Sequence, residues 1–222
     1  MSGKDLICGG SIINNRSNRT ILFYSREPED LLVVVGTDSE LYCGVTHLVE
    51  EVQWDFMYTR HLVSAIALLR VVEDIKFSSA IQPITLSSST NFPVGKTATV
   101  IGWDADMCMA GEKELEIIPQ ENCTELYTIC IWDKIDPLFS VPCYNLLGNP
   151  LTLNSIQIGI ISDNTTCSFS RNSYTMVGLH IDWIKENAGR ITVSAGNQVY
   201  PNTWIVLSHA ILMLLSYSYS RL

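Results

Sequence analysis

No histidine occurs before His47 in this chain of 222 residues, and only four occur in all, at positions 47, 61, 180 and 209. None stands four residues from another or beside a cysteine pair at ligand spacing, so no metal site is expected and the histidines read as ordinary core or surface residues. G-x-S-x-G, P-loop and G-x-G-x-x-G patterns are also absent. That removes the usual signals of a hydrolase nucleophile elbow, a phosphate cradle and a dinucleotide site, and no cofactor is expected. Basic residues are scarce: 14 Lys and Arg stand against 23 Asp and Glu, a net charge of −9, with no basic run. Nucleic acid and anionic lipid both require a basic face, so neither is expected as a partner. Residues 1–7 carry no apolar h-region and do not read as a signal peptide.

Apolar residues make up 47% of the chain, enough for one good core or two small ones. Seven cysteines, together with Asn-x-Ser/Thr sites at Asn15, Asn18, Asn122 and Asn164, favour the secretory pathway or the cell surface. The run Leu31-Leu32-Val33-Val34-Val35-Gly36 is β-branched and ends on a turn residue, which predicts a buried strand. Residues 87–95, rich in Ser, Thr, Asn, Pro and Gly, read as a linker. Residues 179–189 have helical spacing and end on Gly189, which predicts a short helix. No internal repeat is present.

The decisive stretch is Cys143-Tyr144-Asn145-Leu146-Leu147-Gly148-Asn149-Pro150-Leu151, which matches C-x-G-D-S-G-G-P-L at Cys143, Gly148, Pro150 and Leu151. Other matches run in order: Cys8-Gly9-Gly10-Ser11-Ile12-Ile13, His61 through Val71, Phe77 through Leu86, Gly102-Trp103, Ser173 through Val177, and Trp183-Ile184. Together they resemble a chymotrypsin/trypsin-like serine protease from about Cys8 to Ala188. The resemblance implies an all-β fold, a double six-stranded β-barrel with a C-terminal helix. It divides the chain into a first barrel at 1–93, truncated at its N-terminus and without an activation end, a second barrel with the closing helix at 94–189, and a hydrophobic tail at 190–222.

The resemblance also implies which residues stand at the site. Phe23 falls at the general base, Ala65 at the aspartate and Leu147 at the nucleophilic serine, so all three triad positions lack their chemistry. Asn145 falls at an oxyanion-hole glycine, Leu146 at the preceding aspartate, and Val141 at the floor of the specificity pocket. Disulfides Cys143–Cys167 and Cys123–Cys130 are implied, while Cys8 loses its family partner. The chain is therefore expected to be a non-catalytic homologue that binds or scaffolds a protein or peptide. A second reading is a truncated product with no stable function, its first barrel left with an open edge. A third is a hydrolase with a relocated site, for which His61 and Ser64 offer only a coincidental pair.

Residues 204–215 are apolar except for Ser208 and His209. Extended to residue 219 this run has sixteen residues, short of the ~20 that a spanning helix needs. Small residues from Ser194, a polar spacer and an apolar end are the order of a glycolipid-anchor signal. Membrane association through a lipid anchor at Ser194 is the expected use of the tail, with a tail-anchored helix or an unused exposed tail as the alternatives.

Overall fold

Five consecutive aliphatic residues, Leu31 to Val35, form a strand buried along its whole length. This is what a β-branched run with no polar alternation encodes when both faces are covered. The computed structural model describes residues 4–15, 17–20, 28–37, 44–55, 66–103, 110–122, 128–132, 147–161, 171–194 and 211–217. Its strands in chain order are β1 (Lys4–Ile12), β2 (Ser17–Thr20), β3 (Leu31–Val35), β4 (Val45–Trp54), β5 (Ala67–Val71), β6 (Thr85–Ser87) and β7 (Thr97–Trp103). They continue with β8 (Ala110–Ile117), β9 (Thr128–Trp132), β10 (Pro150–Leu153), β11 (Ile156–Ile161), β12 (Arg171–Met176), β13 (Val193–Ser194) and β14 (Ile211–Tyr217), with helix α1 (Ile181–Ala188) before β13.

Two barrels result. The first closes in the order β1-β14-β3-β4-β5-β2, every pair antiparallel. Cys8, Ile12, Val33, Val35, Leu69 and Val71 lie in its core. In the second, β7 to β12 form a ring because β10 pairs with both β7 and β11. Its core includes Val100, Leu115, Ile131, Leu151, Ile158 and Tyr174. The turn joining β10 to β11 is the pair Asn154 and Ser155, both at positive φ, the backbone of a tight hairpin. β6 adds to β11 in parallel, and β13 adds to β6.

The predicted helix begins two residues late, its first residues forming part of a 3₁₀ turn. Residues Val177–His180 make a 3₁₀ turn and α1 runs from Ile181 to Ala188. Ile181, Ile184 and Ala188, on one helical face, pack with Ile13, Ile66 and Leu68 of the first barrel, Leu86 and Ile160 of the second sheet, and Val177 of the preceding turn. The helix thus covers the seam between the barrels.

The tail departs from expectation. Residues 211–217 are not spare: they form β14, hydrogen-bonded between β1 and β3. Ser194, the expected anchor site, is buried in β13, and its carbonyl accepts from the Ser88 N–H at 3.0 Å and the Ser88 hydroxyl at 3.1 Å. Cleavage there for lipid attachment would remove β14 and open the barrel. The open edge that argued for a product without a stable fold is likewise closed. Among the described residues no helix is long and apolar enough to cross a membrane.

A buried polar pair also ties the end of β4 to the turn before α1. Asp55, just after β4, has its N–H on the Ile66 carbonyl at 3.0 Å, and its carboxylate lies 2.7 Å from His180 Nδ1. A carboxylate only accepts, so the ring N–H donates. Both side chains are buried. Asp55→Ala removes the buried acceptor of the imidazole N–H and is expected to cost about 1–3 kcal/mol, read as a lower urea midpoint. An unchanged midpoint would show that the pair does not hold the helix to the first barrel.

Candidate functional site

The nucleophile-like loop enters β10 through Leu147, Gly148 and Asn149. Gly148 has φ +84°, a left-handed conformation open to glycine and strained for most other residues. That twist lets the loop bond in two directions. Toward the second barrel, the Gly148 N–H donates to the Ile161 carbonyl at 2.9 Å, and the Ile161 N–H donates to the Asn149 carbonyl at 3.0 Å. Toward the first, the Gly9 N–H donates to the Leu147 carbonyl at 2.7 Å. Nearby, the Ser11 hydroxyl donates to Gln157 Oε1 at 2.6 Å in a fully buried contact between β1 and β11.

This junction explains Gly9. A Cβ there would sit 1.9 Å from Asn149 Oδ1, well inside van der Waals contact, so β1 lies against the loop in this arrangement only while Gly9 has no side chain or Asn149 gives way. Leu147 itself is half-buried, and its side chain packs against the cores of both barrels. At the position that the motif assigns to a nucleophile there is a hydrocarbon contact, with no proton to give and no lone pair to attack with.

Phe23, Ala65, Val141, Asn145, Cys143, Cys167, Cys123, Asn164, His61 and Ser64 lie outside the described residues. Ile66, next to Ala65, is fully buried and leads into β5. Cys8 is a buried thiol in the first core. Cys130 is buried and disulfide-bonded. Of the glycosylation candidates, Asn15 is exposed and its amide donates to Asp74 Oδ2 at 3.1 Å. Asn18 lies in β2, and Asn122 ends a short 3₁₀ turn. Among the described residues no group of three His, Cys, Asp or Glu is placed to hold a metal.

Two features have no signal in the sequence. One is the Asp55–His180 pair, joined across 125 positions. The other is a cavity of about 540 Å³ in the second barrel, lined by Phe92, Val94, Ile117, Ile129, Cys130 and Met176 among others. Neither includes Leu147. His47, on β4, is buried with no hydrogen bond at Nε2. Burial lowers its pKa below the ordinary 6.5, opposed by the Glu73 charge and a backbone hydrogen bond at Glu73.

The family model described as Trypsin matches residues 1–184. The chain belongs to the trypsin family. Among curated relatives it is 29% identical over 139 residues to Chymotrypsin-2 of Vespa crabro, covering 57% of this chain and 62% of that protein. It is 27% identical over 207 residues to Venom serine protease 34 of Apis mellifera, covering 81% and 51%. The chain thus spans less than two thirds of these two relatives' lengths. Trypsin delta of Drosophila erecta is 27% identical over 199 residues, covering 82% and 78%. Among solved structures, a mutant of human heparin binding protein superposes with a TM-score of 0.71 at 18% identity, covering 88% of this chain and 89% of that one. Scabies mite inactivated protease paralogue S-D1 superposes at 0.70 and 17%, covering 83% and 88%. At these identities the two structures establish the family's fold, with the double barrel already described.

Gly9→Ala is expected to lower stability by about 1–3 kcal/mol through overpacking against Asn149, and Asn149→Ala in the same chain should recover part of the loss in a thermal melt. A melt unmoved by Gly9→Ala would mean that the strand and loop are not in contact. His47 makes the fold sensitive to acid. The unfolded chain binds a proton near pH 6.5 and the folded chain does so only at lower pH. Its contribution is therefore complete above about 6.5 and falls by up to about 1.4 kcal/mol per pH unit below it. Urea midpoints from pH 5 to 8 should show this slope, and His47→Leu should flatten it.

Proposed function

We propose that this trypsin-family chain is a non-catalytic protease homologue whose double barrel serves as a binding or scaffolding module for a protein or peptide. The observation that carries the reading is Leu147: the residue assigned to the nucleophile is an apolar side chain shared between two cores, on a loop whose backbone is bonded to both barrels. A serine there would need a base and an orienting acid, and the resemblance puts Phe23 and Ala65 at those positions. Loss of a triad leaves roughly 10³ to 10⁴ of rate over water in the best-studied protease, and that residue depends on an intact oxyanion hole. Here the resemblance puts Asn145 in place of the glycine, so turnover is negligible.

The similarity to an inactivated protease paralogue supports the reading, since that scaffold persists without catalysis by its own description. The ligand in the other neighbour's name does not transfer. Heparin is a polyanion, and a chain of net charge −9 repels one.

Purified protein is expected neither to hydrolyse peptide esters nor to take up a serine-directed fluorophosphonate, and Leu147→Ser alone is expected to restore neither. Labelling that disappeared on mutating one particular serine would refute the reading.

A further inference from the structure

Every strand of the first barrel but one is supplied from within residues 4–71. The exception, β14, arrives after the entire second barrel. All seven of its residues have partners on β1, from Lys4↔Tyr217 to Ser11↔Ile211, and five have partners on β3, from Leu212↔Val35 to Ser216↔Leu31. We propose that the slot between β1 and β3 is a strand-acceptor site. Residues 211–217 are its donor strand, separable from the body and able to fill the slot from another copy of the chain as well as from their own.

Three observations carry this. The slot's two walls are backbone edges: without β14, β1 and the wholly buried β3 each lose a ladder, and an unpaired apolar edge is a template for another strand. The occupant is joined to the body through a connection of sixteen residues, 195–210, and a connection of that length adds little closure entropy as it lengthens. A terminal strand that adds to its barrel through edge pairing with two strands remote in sequence is the kind of element that copies exchange. Thirdly, β1 is gripped from both sides. β14 pairs with Gly9 through Met213, and the Gly9 N–H is bonded to the Leu147 carbonyl. The donor strand therefore holds in place the strand on which the nucleophile-like loop is seated, and emptying the slot loosens that seat.

The test uses the full chain with a specific protease site inserted in the connection, cut only after folding. The tail fragment should co-elute with the body. On unfolding and refolding with an excess of a fluorescein-labelled peptide of residues 208–220, flanked by lysines for solubility, the labelled strand should replace the fragment. The same peptide carrying Leu214→Pro should enter roughly tenfold less or worse, because residue 214 pairs with both Cys8 and Val33 and proline cannot donate to a ladder. Hydrogen exchange at the Gly9 amide should quicken tenfold or more when the slot is filled by neither peptide nor fragment. A body that refolds cooperatively only when the unsubstituted peptide is present also supports the proposal. Three results would overturn it: departure of the fragment on cutting with the melt of the body unchanged; equal entry of both peptides, which marks mere apolar adhesion; and a body that refolds cooperatively while excluding both.

Discussion

A barrel strand must find hydrogen-bond partners along both edges, because its backbone N–H and C=O groups are buried and cost free energy when left without them. β1 shows how this requirement organises the molecule. Along one edge it carries β14, and along the other it carries β2 at Ser11 and Ile12 only. Where β2 has not yet begun, at Gly9, the N–H turns outward to the Leu147 carbonyl of the second barrel. One strand is thus shared among the chain's C-terminal end, its neighbour in sequence and the loop that would hold a nucleophile. The buried Ser11–Gln157 hydrogen bond two residues on continues the same seam.

What the sequence made legible follows from distance along the chain. β3 and α1 were readable because their signals are local: an unbroken β-branched run, and apolar residues at positions 181, 184 and 188 before a glycine. The loop from Leu147 to Leu151 was readable because its glycine, proline and leucine are demanded by a particular backbone path. β14 was not. Its residues are apolar enough to suggest a membrane, and hydrophobic content alone does not distinguish a lipid core from the edge of a barrel more than 190 residues away. The burial of Ser194 in β13 was illegible for the same reason. Small residues before a spacer resemble a processing site, but the pairing of β13 with β6 that buries it is long-range. Asp55 and His180 were unremarkable singly, and only the fold, which brings positions 125 residues apart together, makes them a pair.

On the reading proposed above, Leu147 changes the employment of a site without changing the scaffold. A catalytic serine must be exposed, oriented and surrounded by polar partners, an arrangement that costs stability in the free protein. A leucine at the same backbone position reverses those demands. Half-buried between two cores, it contributes on the order of 1–2 kcal/mol by removing apolar surface from water, and it needs no partner. The loop's remaining requirements, left-handed Gly148 and the close approach of Gly9, are requirements of backbone geometry, and both residues are present. On the non-catalytic reading proposed above, the chemistry is lost through side chains alone, because the backbone requirements of the loop are still met. The seam is then closed by hydrophobic contact at Leu147, and a partner would have to be met by the surface of the scaffold rather than by a catalytic cleft.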